Sequence, residues 1–474
     1  MPVPYPDPAL YRKHAAELTE IIFQYLSSCR EESLPVLETI PPESAYRFWK
    51  EELQNPTLSF PALFSKIIQG STHLHHPGYI GHQVAVPHPY SMLADMAAGL
   101  LNNGMAVYEM GQVSVAMERA VCEQIADRLE WNGDPGGIFT SGGSLANLTA
   151  LLSARQKHSR GKYWEGGHAD SPPLAVMVSS EAHYCISRAV KIMGLGRQGL
   201  VLLPVNERFQ TEVSRLEDIY QKTLSQGIEV FAFVANACST ATGAYDDIET
   251  IAGFCKKHQI WLHVDGAHGG AVLFSDRHRA LLQGAGLADS ITVDFHKLLQ
   301  SSILCTALVY RSIKDSYPTF SQGARYLFED DEQEWYQTGK RTFECTKAMM
   351  VLKAYTLLHQ LGETSLGQTI DRQYQLASDF AEMLINHGHF QLACKPQSNI
   401  VCFRYTPPGI PPQNYDLLNR EIREELVRGG KFYPVLTTIR DSLYLRTALM
   451  NPGTTLDHLA SLIDQILAFN PEKL

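Results

Sequence analysis

Apolar residues in the first 70 positions recur at helical spacing, as in Leu18, Ile21, Ile22 and Tyr25, and the Pro41-Pro42 pair interrupts them. Positions three and four apart share a helix face, so this segment predicts an N-terminal helical arm broken at the prolines. The pattern changes near residue 88. Short continuous apolar runs at 174–178, 200–203, 230–234, 260–264, 291–293 and 303–310 then alternate with helical stretches. A run that is apolar on both faces suits a strand covered by helices on either side. The alternation predicts an α/β fold with a mostly parallel central sheet. Beyond a polar stretch at 311–340, a long helix is expected from near Cys345, followed by a small α+β region with strands at 400–405 and 442–447. These expectations divide the chain into a helical arm (1–76), a large domain (77–345) and a small C-terminal domain (346–474).

Composition narrows the class. A chain of 474 residues with 45% hydrophobic and 19% charged positions can bury substantial cores without disulfides. No apolar run approaches the ~20 residues of a membrane span, and the first residues carry prolines and charges where a secretory signal needs an apolar core. Nine cysteines without a CxxC pair suit free thiols in a reducing compartment, so a cytoplasmic location is expected. The net charge of -10 is diffuse and no basic cluster stands out. A small-molecule partner is expected, with neither nucleic acid nor membrane.

The candidate chemistry lies at strand ends. The run IWLHVDGAHGG puts Asp265 at the carboxyl end of an apolar strand, and ITVDFHKLL then delivers Asp294, His296 and Lys297 in the same way. Open α/β sheets gather ligand-binding groups on that edge. A lysine there can form a Schiff base with an aldehyde cofactor, and a carboxylate can hold a pyridine nitrogen protonated so that the ring draws electrons. Upstream, GGIFTSGGSLANLTALLSAR reads as strand, glycine turn and helix, and backbone N–H groups at such a helix start bind anions, with Ser144 adding a hydroxyl. In SSEAHYCISRAVKIMGLG, His183 follows a strand and opens an amphipathic helix. Taken alone, each of these residues has a structural explanation as an exposed lysine, an ordinary turn or a core histidine.

Together the TSGGS-x-AN, S-x-E-A-H, HVD-x-A and D-x-HK signatures resemble the group II pyridoxal 5'-phosphate (PLP)-dependent amino-acid decarboxylases, a resemblance that spans roughly residues 70–455. That family includes aromatic-amino-acid, glutamate and 2,4-diaminobutyrate decarboxylases. The resemblance implies the fold-type I, aspartate-aminotransferase-like architecture, a PLP-binding large domain and a homodimer. It assigns the aldehyde linkage to Lys297, the phosphate to Gly143 and Ser144 with help from His296 and Asp294, and the ring nitrogen to Asp265. His183 would stack on the ring, Ala267 would pack beneath it, and Thr240, in CSTATGAYDDIE, would lie close to the cofactor.

Three further positions match family segments that act on substrate. Tyr326, in GARYLFED, stands where these enzymes carry a loop tyrosine that protonates the α-carbon, and Arg446, in LRTALMNP, where glutamate decarboxylases keep an arginine for the α-carboxylate. His82, in HPGYIGHQ, stands where glutamate decarboxylases have glutamine and aromatic-amino-acid decarboxylases an aromatic residue. It would reach the substrate side chain across the dimer interface. The stretch LNNGMAVYEMG resembles bacterial 2,4-diaminobutyrate enzymes, so that substrate is expected first and an aromatic or acidic amino acid next.

Two other classes compete. His73, His75, His76, His82 and His88, or His263, Asp265 and His268, can be read as the ligands of a metallohydrolase. HVDGAH lacks the helical histidine pair of zinc proteases, however, and a metal leaves Lys297 and the glycine turn without a role, so no metal is expected. A protein that binds PLP without turnover would not need Lys297, Asp265, His183 and Tyr326 together.

Overall fold

A computed structural model describes residues 7–167, 172–320 and 335–470. The chain forms two compact units, one of Gln83–Ser378 with Cys394–Val401, the other of Met1–His82 with Asp379–Ala393 and Cys402–Leu474.

The first unit is built on seven strands: β1 (Gly136–Thr140), β2 (Leu174–Ser179), β3 (Leu200–Leu203), β4 (Glu229–Asn236), β5 (Trp261–Asp265), β6 (Ser290–Asp294) and β7 (Thr306–Tyr310). Their order is β1-β7-β6-β5-β4-β2-β3. The strands from β3 to β6 run parallel, while β7 lies antiparallel to both β6 and β1. Every residue of β1, β2, β5, β6 and β7 is buried, which explains why these segments read as continuous apolar runs. The helices Gly143–Ser159 and Tyr184–Ile192 bring Ala146, Ala150, Ile186 and Val190 into one core with Val176, Val178 and Val234. Ala175 and Met177, on the opposite face of β2, are equally buried.

Register decides what meets at the carboxyl edge of this sheet. Asn236, Asp265 and Thr292 stand side by side on β4, β5 and β6. Asp294, Thr306 and Thr140 form a second row across β6, β7 and β1. The expected strand at 303–310 is shorter, because Ser302 is tied to Ser91 and Asp95 and leaves Ile303 exposed, so pairing starts at Thr306. The long helix starts at Val351 rather than near Cys345 and runs to His387, interrupted at Gly362, whose φ of 72° suits glycine.

A buried polar brace holds β1. Glu118, on the helix Tyr108–Arg128, accepts from Lys347 Nζ at 2.6 Å and from the Phe139 N–H at 3.2 Å. Lys347 also donates to the Phe139 carbonyl at 2.8 Å, and Arg341 donates to that of Gly137 at 3.0 Å.

In the second unit, the arm folds into the helices Pro8–Arg30, Pro42–Gln54 and Phe60–Gln69. Each has a proline in its first turn, where the missing N–H costs nothing. Strands β8 (Phe390–Leu392), β9 (Ile400–Tyr405), β10 (Val435–Ile439) and β11 (Ser442–Ala448) form a sheet in the order β10-β11-β9-β8, accompanied by the helices Tyr415–Gly429 and Leu456–Leu467.

The brace gives a stability prediction. Lys347→Met leaves Glu118 buried without its counter-charge, which costs about 3–5 kcal/mol when one partner of a buried pair is removed. Chemical denaturation should show a clearly lowered midpoint for the variant. An unchanged midpoint would mean that the pair contributes nothing to holding β1.

Candidate active site

β5 ends in Asp265 and β6 in Asp294, with Lys297 in the turn three residues later. Lys297 Nζ donates to Asp294 Oδ2 at 2.9 Å, Thr306 donates its hydroxyl to Oδ1 at 2.6 Å, and His296 Nε2 stands 3.6 Å from Oδ2. Burial alone would neutralise both members of the pair. It pulls the Lys297 pKa down, but Asp294, followed by Asp265, lifts it above the ordinary lysine value. Burial likewise pushes Asp294 up, and Lys297, His296 and Thr306 bring it below the usual carboxylate range. Both groups are therefore charged.

Asp265 accepts the Ala267 N–H at 3.2 Å and the Asn147 Nδ2 at 2.9 Å. Burial raises its pKa, against the opposing pull of Lys297 and His183. His183 caps the helix Tyr184–Ile192, its Nδ1 accepting the Cys185 N–H at 3.4 Å. Burial dominates here too and lowers its pKa, so the ring is neutral and keeps its proton on Nε2.

β1 delivers the third component. Gly142 has a φ of 119°, and as the cap of the helix Gly143–Ser159 it offers no side chain to the first-turn N–H groups. A Cβ at Gly143 would stand 3.2 Å from Ala267 Cβ and from Asp294 Oδ1, so only glycine leaves this space open. The result is a concave turn at the positive end of a helix dipole, beside a lysine and two buried carboxylates. One cavity of about 250 Å³ is lined by Gly143, Ser144, His183, Thr240, Asp265 and Ala267, and also by Asp294, His296 and Lys297. Nine residues singled out in the sequence thus meet in one place.

The pyridoxal-dependent decarboxylase conserved domain matches residues 49–406. The chain belongs to this family. It is an amino-acid decarboxylase, a carboxy-lyase with PLP as its cofactor. The decarboxylase is 28% identical to L-2,4-diaminobutyrate decarboxylase of Acinetobacter baumannii over 424 residues, 86% of this chain and 83% of the relative. Human cysteine sulfinic acid decarboxylase is 30% identical over 377 residues, 77% of this chain and 76% of the relative. The crystal structure of mouse CSAD in apo form matches with a TM-score of 0.90 at 25% identity, covering 97% of this chain and 98% of that one.

The residues present fit the cofactor. A phosphate suits the Gly143 turn, an aldehyde suits the Lys297 amine, and Asp265, a buried carboxylate, suits a protonated ring nitrogen. His82 and Arg446 belong to the second unit, Arg446 on β11 opposite Val435 of β10. There His82 Nε2 lies 3.4 Å from the Tyr433 hydroxyl, and burial, then Arg446 and Arg423, lower its pKa. Tyr326 lies outside the described residues. Among the described residues no group of three or more His, Cys, Asp or Glu could hold a metal ion. His73 contacts the Pro35 and Ile68 carbonyls at 2.7 and 3.1 Å, and His263 sits between Ser290 and Asn147.

Asn147, Asn236 and Cys238 also line the cavity and were not singled out as site residues, and His268, considered above only as a metal ligand, lines it too. For Asn147 a signal was available, since it follows Gly143 by four residues and shares its helix face. Asn236 carries no comparable local signature.

The Lys297–Asp294 pair predicts a pH effect. A protonated amine cannot attack an aldehyde, and Asp294 is the charge that most favours protonation. Asp294→Asn should lower the Lys297 pKa, so the pH midpoint for reductive methylation of Lys297 by formaldehyde should move down in the apoprotein. Mass spectrometry of the Lys297 peptide across pH measures this, and an unmoved midpoint would show that Asp294 does not control the amine.

Proposed function

We propose that this decarboxylase converts an L-amino acid with a short polar side chain, 2,4-diaminobutyrate first, to its amine and carbon dioxide, with Lys297 carrying the cofactor. What supports the reading is the meeting of Lys297, Asp294, Asp265 and His183 with the Gly143 turn around one cavity. When bound, PLP supplies an aldehyde for the lysine and a ring that takes up the electron pair left by departing carbon dioxide.

The chain's own residues do the rest. Gly143 and Ser144 bind phosphate with His296, and Asp294 balances the charge of Lys297 and lies beside His296. Asp265, ionised, holds a proton on the ring nitrogen. We assign stacking on the ring to His183, packing beneath it to Ala267 and close contact to Thr240. Tyr326 is assigned, from the family resemblance alone, to returning a proton to the α-carbon.

Arg446 is proposed to take the α-carboxylate, and His82 to meet the side chain of a substrate held by the neighbouring subunit of a homodimer. Leu93, Met96 and Leu100, spaced along one face of the helix Pro89–Leu101 and 57%, 57% and 76% exposed, support association between copies. Nine free cysteines support a cytoplasmic location. Among the described residues no helix is long and apolar enough to cross a membrane.

Burial, Arg446 and Arg423 keep His82 neutral, so its ring can accept a hydrogen bond from a side-chain ammonium. The Acinetobacter relative supports the same substrate. An acidic amino acid is the second reading, favoured by the positive field of the same two arginines.

Carbon dioxide release should be highest with 2,4-diaminobutyrate in a panel that includes aspartate, cysteine sulfinate, glutamate, tyrosine and tryptophan, and Lys297→Ala should abolish it. Preference for an acidic member would replace the first reading with the second, and turnover by Lys297→Ala would sink the central assignment. Tyr326→Phe should release carbon dioxide while shifting product from amine to carbonyl compound, because general acids contribute ~10²–10⁴-fold. An unchanged amine yield would remove Tyr326 from the mechanism.

A further inference from the structure

Asp265 is the last member of a hydrogen-bond chain that starts at the first residue of its own strand. The indole Nε1–H of Trp261, which can only donate, gives its proton to Ser290 Oγ at 3.0 Å. Ser290 Oγ is 2.8 Å from His263 Nδ1, and His263 Nε2 is 3.0 Å from Asn147 Oδ1. Thr292 donates to that same Asn147 oxygen at 2.9 Å. Asn147 Nδ2 then donates to Asp265 Oδ2 at 2.9 Å and to Cys185 Sγ at 3.3 Å.

The ends of the chain set its direction. An indole only donates, and the Asp265 carboxylate, ionised when it pairs with a protonated ring nitrogen, only accepts, so one arrangement of the groups between them satisfies every bond. The Ser290 hydroxyl proton points to Nδ1, the His263 proton sits on Nε2, and the Asn147 amide turns its oxygen to His263 and its amino group to Asp265. The opposite tautomer would let Asn147 reverse and set its oxygen against the carboxylate. His263 is fully buried and Asn147 is 1% exposed, so water does not replace a lost partner. Burial also pushes the His263 pKa down to about 3, against a small lift from the Ser290 backbone, which leaves the ring one proton to place.

We infer that His263 and Asn147 are positioning residues for Asp265, forming a directional relay that presents a fixed N–H donor to the carboxylate serving the cofactor's ring nitrogen. The inference rests on the cofactor reading above. The other groups facing Asp265 are Lys297 and His183, which favour its charge, Asp294, which opposes it, and the Ala267 N–H. Asn147 differs from the charged groups in being a donor whose orientation no protonation event reverses while His263 stays neutral.

Nitrogen-15 NMR of histidine-labelled protein, with the His263 signals assigned through their loss in His263→Gln, should show a neutral ring protonated on Nε2. A ring protonated on Nδ1, or on both nitrogens at neutral pH, would overturn the proposal. Asn147→Leu removes the donor at similar volume and should weaken PLP binding, read by fluorescence titration, about 10- to 100-fold, the range of one hydrogen bond to a charged group. In Asn147→Asp the introduced carboxyl donates only when protonated, so its affinity relative to wild type should recover as pH falls, whereas that of Asn147→Leu should not. Both variants binding like wild type, or moving alike at every pH, would overturn the relay. A wild-type chain that fails to bind PLP would overturn the cofactor reading instead, and the His263 tautomer would still decide this one.

Discussion

Two carboxylates and one ammonium share a desolvated edge of the sheet, and Lys297 and Asp294 each stay charged because the other is there. Burial alone would protonate Asp265 and Asp294 and deprotonate Lys297. The attraction between Lys297 and Asp294 reverses that outcome for both. Such a cluster holds only while the strands keep their register, since a one-residue slip turns every side chain of a strand to the other face. Register thus carries an electrostatic role, placing Thr306 to donate to Asp294 and Thr292 to donate to Asn147.

The phosphate turn meets the same demand by backbone geometry. Gly142 takes a conformation unfavourable for other residues, and Gly143 leaves a gap that a methyl group would narrow against Ala267 and Asp294. The strand leading into this turn is held through its own carbonyl and N–H groups by Glu118, Lys347 and Arg341. A site that must discriminate between protonation states needs fixed dipoles, and both the turn and the Asn147 relay supply donors that do not reorganise.

Much of this was legible in the chain itself. The runs at 200–203 and 400–405 coincide with β3 and β9. Gly143, Asp265, Asp294 and Lys297 each sit beside a strand whose apolar run is unmistakable, and local order along the chain was enough to place them on one edge. Residues 303–305 misled for the same local reason, being as apolar as a strand although Ser302 is tied down elsewhere.

Strand direction, pairing and long-range partners belong to the tertiary structure. An apolar run carries no mark of whether its neighbour is parallel, so nothing in residues 306–310 announced that β7 would run against β6 and bring Thr306 to Asp294. Glu118 and Lys347 are 229 positions apart, and Asn147 and Asp265 are 118 apart. Hydrogen bonds of that span have no periodicity for a sequence to display. By itself the sequence determined which chemistry the chain carries, because that depends on residue type at the end of a strand. Only the fold decided which charges survive burial and which way the Asn147 amide points, because both depend on neighbours that the chain brings together in space.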